Sequence, residues 1–148
     1  MKKVFIGLGS NLQNPLYQVV SAIEEIKSHN DICLLATSSL YKSRPVGPQD
    51  QSDFINAVIL IETKLKPENL LNDLQIIEKL HSRVRLKKWG PRTLDLDILM
   101  FENIIMKTKK LIIPHPEITN RQFVLMPLLE ITHQNFKIPL KGKIKKYI

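Results

Sequence analysis

Leu94-Asp95-Leu96-Asp97-Ile98-Leu99-Met100-Phe101 sets apolar and acidic residues in alternation before closing on an apolar run. Alternation at period two marks a half-buried strand, because successive side chains leave opposite faces of a sheet. Asp95 and Asp97 therefore project together, while Leu94, Leu96 and Ile98 project to the other side and pack beneath helices. Upstream, Pro67-Glu68 opens a helix whose buried stripe is Leu70, Leu74, Ile77, His81 and Val84, ending in the basic stretch before Trp89-Gly90-Pro91. Residues 53–63 have β character through Phe54, Ile55, Val58, Ile59 and Ile61. The prolines and glycine of 44–50 predict a loop, and 31–42 reads as a strand. Asn14-Pro15 caps and opens a helix carrying Leu16, Val19, Val20, Ile23 and Ile26 at helical spacing, and residues 3–9 form a strand ending in glycines.

The resulting order, β-α-β-β-α-β, predicts an α+β, ferredoxin-like sandwich with an antiparallel sheet and helices on one face. Ile112 to Pro116 and a short helical pattern over 122–131 add a small C-terminal extension. The 148 residues are expected to form a single domain, 1–148, with 137–148 a basic tail that adds a short strand or frays. At 43% hydrophobic the chain can build a core without staples. Its one cysteine, Cys33, cannot make an intrachain disulfide, and no apolar run approaches the roughly 18 residues of a membrane helix. A cytoplasmic protein is expected, with no membrane partner.

The net charge of +8 is unevenly placed. Five lysines and no acid occupy the tail, so the rest of the chain carries +3. A second cluster, Arg83, Arg85, Lys87, Lys88 and Arg92, has no acid within it and directly precedes the aspartate pair. Two carboxylates side by side repel unless a cation lies between them. Oxygen-only ligation completed by phosphates and waters is magnesium's preference, and the basic cluster would neutralise the rest of a triphosphate. Zinc is disfavoured, because neither His81 nor His115 has ligand spacing to a cysteine or a second histidine.

Gln75, Glu78, Ser82 and Arg85 share one polar face of the second helix. His115, held between Pro114 and Pro116, has a stiff extended backbone from which it could donate to phosphate, with Arg121 close by. Gly7-Leu8-Gly9 begins like a dinucleotide fingerprint, but Leu12 stands where the third glycine belongs, and no P-loop occurs. At this point a solvated acidic edge, a basic RNA-binding module and a magnesium-dependent kinase releasing ADP all stay open. The RNA reading is the weakest, since the aspartates would repel a phosphate backbone and only 6% of residues are aromatic.

Several blocks in one order carry a family resemblance: Gly9-Ser10-Asn11-Leu12, Pro45 to Gln51, Asp53-Phe54-Ile55-Asn56, Trp89 to Ile98, Ile113 to Pro116, and Asn120-Arg121-Gln122-Phe123. Spanning about residues 4 to 131, they resemble the 6-hydroxymethyl-7,8-dihydropterin pyrophosphokinases of folate biosynthesis. The resemblance implies a ferredoxin-like fold and transfer of pyrophosphate from Mg-ATP to the pterin's hydroxymethyl group, with AMP leaving. It implies that Asp95 and Asp97 bind two magnesium ions and, with Arg83 and Arg92, form the catalytic set. ATP would lie among Gln75, Glu78, Arg85, Trp89, Arg92, Ile98, Lys110, His115 and Arg121. The pterin would lie among Ser43, Pro45, Val46, Phe54, Asn56 and Phe123, with the two phenylalanines stacking on its ring. The partners implied are these two small molecules, without nucleic acid, and the protein is expected to be a monomer. Lys110 stands where the family commonly has arginine, giving a point charge instead of a fork. No residue stands out as a general base.

Overall fold

The computed structural model describes residues 1–45, 47, 50–81 and 93–148. The expectations resting on Val46, Arg83, Arg85, Trp89 and Arg92 lie outside those residues.

Strand β1 (Lys2–Ser10) leads to helix α1 (Pro15–Lys27), then to β2 (Ile32–Thr37), β3 (Tyr41–Ser43) and β4 (Phe54–Thr63). Helix α2 (Pro67–Leu80) and β5 (Asp95–Phe101) follow. Next come β6 (Met106–Lys107), β7 (Ile112–Ile113), α3 (Gln122–Glu130), β8 (Lys137–Ile138), β9 (Gly142–Lys143) and a 3₁₀ turn, Ile144–Tyr147. α1 begins as its sequence predicts: Asn14 takes the left-handed conformation and its side chain accepts from the Tyr17 N–H, with Pro15 in the first turn. α2 likewise opens on Pro67 with Glu68 in its first turn, where the helix dipole favours an acid.

The main sheet runs β2-β4-β1-β5, with β3 also paired to β4, and every pairing is antiparallel. The stretch read as one strand over 31–42 is two. Ser38 interrupts it, because its hydroxyl accepts from the Val58 N–H at 2.9 Å while its own N–H donates to the Val58 carbonyl at 2.9 Å. A side chain does the work of a ladder bond there, and pairing resumes at Tyr41.

Both faces of the sheet are covered: α1 and α2 lie on one face, as expected, and α3 of the C-terminal extension lies on the other. Val4, Ile6 and Leu8 of β1, Ala57, Ile59 and Ile61 of β4, and Leu96 and Ile98 of β5 pack with the apolar stripes of α1 and α2. On the opposite face Phe5, Val58, Leu99 and Met100 need cover too, and Val124, Leu125 and Leu128 of α3 supply it with Ile138 and Ile144. Fully burying each such side chain stabilises by roughly 1.5–3 kcal/mol. The basic tail does not fray. Its β8–β9 hairpin and the turn after it bury Ile138 and Ile144 in this second core.

A β-bulge lies within β5. Ile98 pairs with Ile6 and Met100 with Phe5, so Leu99 is the extra residue and both Leu99 and Met100 join the second core. No helix among the described residues is long and apolar enough to cross a membrane.

Candidate active site

One cross-strand row organises the end of the second face that α3 leaves open. Asp95 pairs with Gly9, Gly9 with Asn56, and Asn56 with Tyr41. The neighbouring row on that face pairs Asp97 with Gly7 and Gly7 with Val58. Paired residues project to the same side, so the glycines of β1 place no side chain of their own between the aspartates and Asn56. The closeness is demanding: a Cβ on Gly9 would meet Asn56 Oδ1 at 3.1 Å, and one on Gly7 would meet Leu99 Cδ2 at 3.4 Å. Asn56 is buried, and its Nδ2 donates to Ser43 Oγ at 2.7 Å, which turns Oδ1 toward Gly9. Phe54, two residues earlier on β4, shares this face and pairs with Ser43.

Asp95 and Asp97 are half-buried, and the intervening Leu96 is packed into the helix-side core. The Leu96 N–H points outward from β5, which ends the sheet, and donates to Glu78 Oε2 at 2.8 Å. Among the described residues no group of three or more His, Cys, Asp or Glu could hold a metal. The aspartate pair nonetheless suits magnesium, which is commonly bound through one or two carboxylates plus substrate phosphates.

His115 enters from the connection after β7. Its N–H donates to the Leu99 carbonyl at 2.9 Å, and its Nδ1 accepts from the Glu117 N–H at 3.1 Å. The neutral ring therefore carries its proton on Nε2. Burial pushes its pKa below the usual histidine value, the Asp97 carboxylate works against this, and Arg121 reinforces it. Asp97, His115 and Arg121 thus lie within electrostatic reach of one another. Arg121 also sits 5.7 Å from the ring centroid of Phe123, over its face, at the start of α3.

A family model described as 7,8-dihydro-6-hydroxymethylpterin-pyrophosphokinase (HPPK) matches residues 5–133. The chain belongs to that family. It is 51% identical over 131 residues to the 2-amino-4-hydroxy-6-hydroxymethyldihydropteridine pyrophosphokinase of Haemophilus influenzae, covering 88% of this chain and 82% of that one. It is 47% identical over 129 residues to the folic acid synthesis protein fol1 of Pneumocystis carinii, covering 87% of this chain but 17% of that much longer one. A solved Plasmodium falciparum HPPK-DHPS structure, with 14% sequence identity, shares the fold at a TM-score of 0.75 over 99% of this chain and 42% of that one. The chain is an HPPK, an ATP-dependent diphosphotransferase of folate biosynthesis.

The structure brings many of the expected HPPK site residues to this end of the sheet: Asp95, Asp97, Ser43, Phe54, Asn56 and His115, with Arg121 and Phe123 at the start of α3. Pro45, two residues after Ser43, is buried and lines a separate cavity with Lys42 and Ile55. Four others are placed differently. Ile98 is 3% exposed and packed on the helix side, opposite the aspartates. Glu78 is 8% exposed and holds the edge of β5, whereas Gln75 of the same helix face is exposed. Lys110 is exposed in the turn between β6 and β7.

Two positioning residues escaped the sequence reading. Asn11 is buried, and its Nδ2 donates to both Gln51 Oε1 and the Ser52 carbonyl at 2.9 Å, tying the 44–53 loop to the end of β1. Its place directly after a glycine-rich strand was the available signal. Glu130 accepts from Tyr41 Oη at 2.6 Å and from the Ser39 N–H and hydroxyl, clamping α3 to β3. That bond pushes the Tyr41 phenol up to about 12. Nothing in the local sequence links residues so far apart. Behind the loop, on the side of Lys42 and Ile55, lies an open cavity of about 650 Å³, away from the aspartates.

Proposed function

We propose that this HPPK transfers the β,γ-diphosphoryl group of ATP to the hydroxymethyl oxygen of 6-hydroxymethyl-7,8-dihydropterin, releasing AMP, with Asp95 and Asp97 holding two magnesium ions. The observation that carries this reading is the row Asp95–Gly9–Asn56, which sets a carboxylate and a buried amide on either side of a glycine. Asn56 Oδ1 accepts from the pterin's edge while Ser43 holds the amide in place, and Phe54 and Phe123 stack on the ring. Glycine at that position lets a flat ligand approach the β1 backbone.

The pterin oxygen forms a bond to the β-phosphorus, and the bond from that phosphorus to the α,β-bridging oxygen breaks, so AMP keeps the bridging oxygen. The hydroxyl proton passes to an aspartate or to water. Asp95 and Asp97 would hold the magnesium, whose charge would polarise the phosphoryl oxygens and acidify the alcohol. His115 donates from Nε2, and Arg121 adds positive charge on the same side; Arg83 and Arg92 counter the charge that develops on the bridging phosphates. Catalysis rests on positioning and charge compensation.

The strand order β2-β4-β1-β5, with α1 and α2 over one face, supports reading the fold as ferredoxin-like. A monomer acting on small molecules in the cytoplasm completes the proposal. An RNA-binding role is disfavoured by the acidic residues and by α3 on the face such a module would use.

Incubation with Mg-ATP and the pterin alcohol, followed by identification of the nucleotide product, is the test. AMP formed only with pterin present supports transfer of the diphosphoryl unit. ADP would mean a single-phosphate kinase, and absence of turnover would overturn the activity.

A further inference from the structure

Phe123 and Glu130 stand seven residues apart in α3, so they leave the same face of the helix, about 10 Å from one another along its axis. The Glu130 end is fastened. Its carboxylate accepts the Ser39 N–H at 2.9 and 3.1 Å, the Ser39 hydroxyl at 2.7 Å and the Tyr41 hydroxyl at 2.6 Å. Hydrogen bonds to an ionised acceptor are roughly twice as strong as neutral ones. These bonds, that from Tyr41 foremost, hold the Glu130 carboxyl below its ordinary pKa.

The receiving side is itself fixed. Ser38 exchanges two bonds with Val58, Tyr41 pairs with Asn56, and Ser43 pairs with Phe54. Glu130 thus ties α3 to the strand pair that carries Phe54. Val124 and Leu125 before Pro127, and Leu128 after it, pack into one core, which keeps the two halves of the helix together. Apolar burial is non-directional: it holds α3 on the sheet without fixing where along the sheet it stops. The directional bonds at Glu130 supply that stop.

A flat ring in contact on both sides needs its enclosing rings roughly 7–8 Å apart, two contacts of ~3.5–4.0 Å each. Widening one contact by about 0.5–1 Å forfeits roughly a quarter to a half of its attraction. We infer that Glu130 is a positioning residue for the pterin: through Ser39 and Tyr41 it sets the separation between Phe54 on β4 and Phe123 on α3, and so how tightly a flat ring is gripped. The inference rests on the proposed stacking of the pterin between those two phenylalanines. Its signature is a rise in the pterin KM with little change in kcat, because Asp95 lies at the far end of the row from Tyr41, with β1 and β4 between.

The test is a double-mutant cycle at saturating Mg-ATP, at a temperature where circular dichroism shows every variant folded. Glu130→Ala should raise the pterin KM roughly threefold to tenfold and leave kcat at saturating pterin within twofold. In a Phe123→Ala background the same change should have little further effect. Losses that multiply in the double variant would show that Glu130 does not act through Phe123, and would overturn the inference. A merely structural role would lower the unfolding midpoint and leave the pterin KM unmoved, which also overturns it. Should Glu130→Ala not fold, Glu130→Gln and Tyr41→Phe are the milder variants. Glu130→Gln keeps an acceptor and Tyr41→Phe removes one bond of the four, so each should raise the pterin KM about twofold to threefold; no rise in either overturns the inference. If Phe123→Ala alone left the pterin KM unchanged, the stacking reading itself would fall and the inference with it. If Phe123→Ala raised the KM and Glu130→Ala did not, the stacking would stand and only the inference would fall.

Discussion

Glu78 reaches from α2 to the outer edge of β5, where its Oε2 accepts the Leu96 N–H at 2.8 Å. That N–H belongs to the residue between Asp95 and Asp97, so a buried carboxylate on a helix holds the backbone that spaces the proposed metal ligands. Glu78→Ala leaves the donor without this acceptor and should cost about 1–3 kcal/mol of stability. Glu78→Gln keeps an oxygen in place and should cost less. Urea unfolding measures both, and equal stability of Glu78→Ala and the parent would mean that the bond contributes nothing.

Asp97→Asn bears on the metal assignment. The side chain is half-buried on the open side of β5, and the substitution preserves its volume. Stability should change by less than about 1 kcal/mol, as for most sites outside a packed core. Turnover should fall on the order of 100-fold or more, the scale of losing an electrostatic contact at the reacting centre. Normal turnover at ordinary magnesium would show that the ion is held elsewhere.

Gly9→Ala tests the placement of the pterin. The added methyl would press on Asn56 Oδ1 at 3.1 Å, and Asn56 can yield only by straining its bond to Ser43. The KM for pterin should rise several-fold while the KM for ATP stays nearly constant, since the proposed site puts the phosphates at the aspartates and the pterin at Asn56. Parallel rises in both constants would place the pterin somewhere other than over Gly9.

His115 makes a prediction about protons. Its folded pKa is lowered, chiefly by burial, so the native state holds the proton less tightly than the unfolded chain. The stability associated with the neutral ring is therefore present above the ordinary histidine value of 6.5 and lost as pH falls through the lower folded value. NMR titration of the ligand-free protein should give a midpoint below 6.5. Asp97→Asn should move it lower still, because the Asp97 carboxylate is what holds it up. A midpoint at or above 6.5 would show that burial does not dominate.

Much of this arrangement was legible in the sequence because period-two alternation is a property of the chain alone. Asp95 and Asp97 on one face, with Leu96 and Ile98 on the other, needed no tertiary information. The α1 start at Asn14-Pro15 was equally local. What escaped depends on distant partners. The break at Ser38 arises from a hydroxyl bonding to Val58 on another strand, and composition over 31–42 carries no trace of it. Glu78 reads as one more polar helix residue, which the resemblance sets beside ATP, until the Leu96 N–H on the outer edge of β5 is placed beside it. The cover that α3 gives to the second face follows from Phe5, Val58, Leu99 and Met100 lying together there, and those four residues meet only in the folded sheet.

The bulge at Leu99 has a consequence for which insertions and deletions β5 can accept. Upstream of it Asp95 and Asp97 share the face of the proposed site, and a shift of one residue there would bury two negative charges under α1 and α2 while turning leucines outward. Downstream, the alternation has already been reset, and Leu99 and Met100 look the same way. A change of length at Leu99 would leave the facing of Asp95 and Asp97 intact, at the cost of the His115 N–H bond to the Leu99 carbonyl and of hydrocarbon in the second core. The strand can drift in length on one side of Ile98 and not on the other.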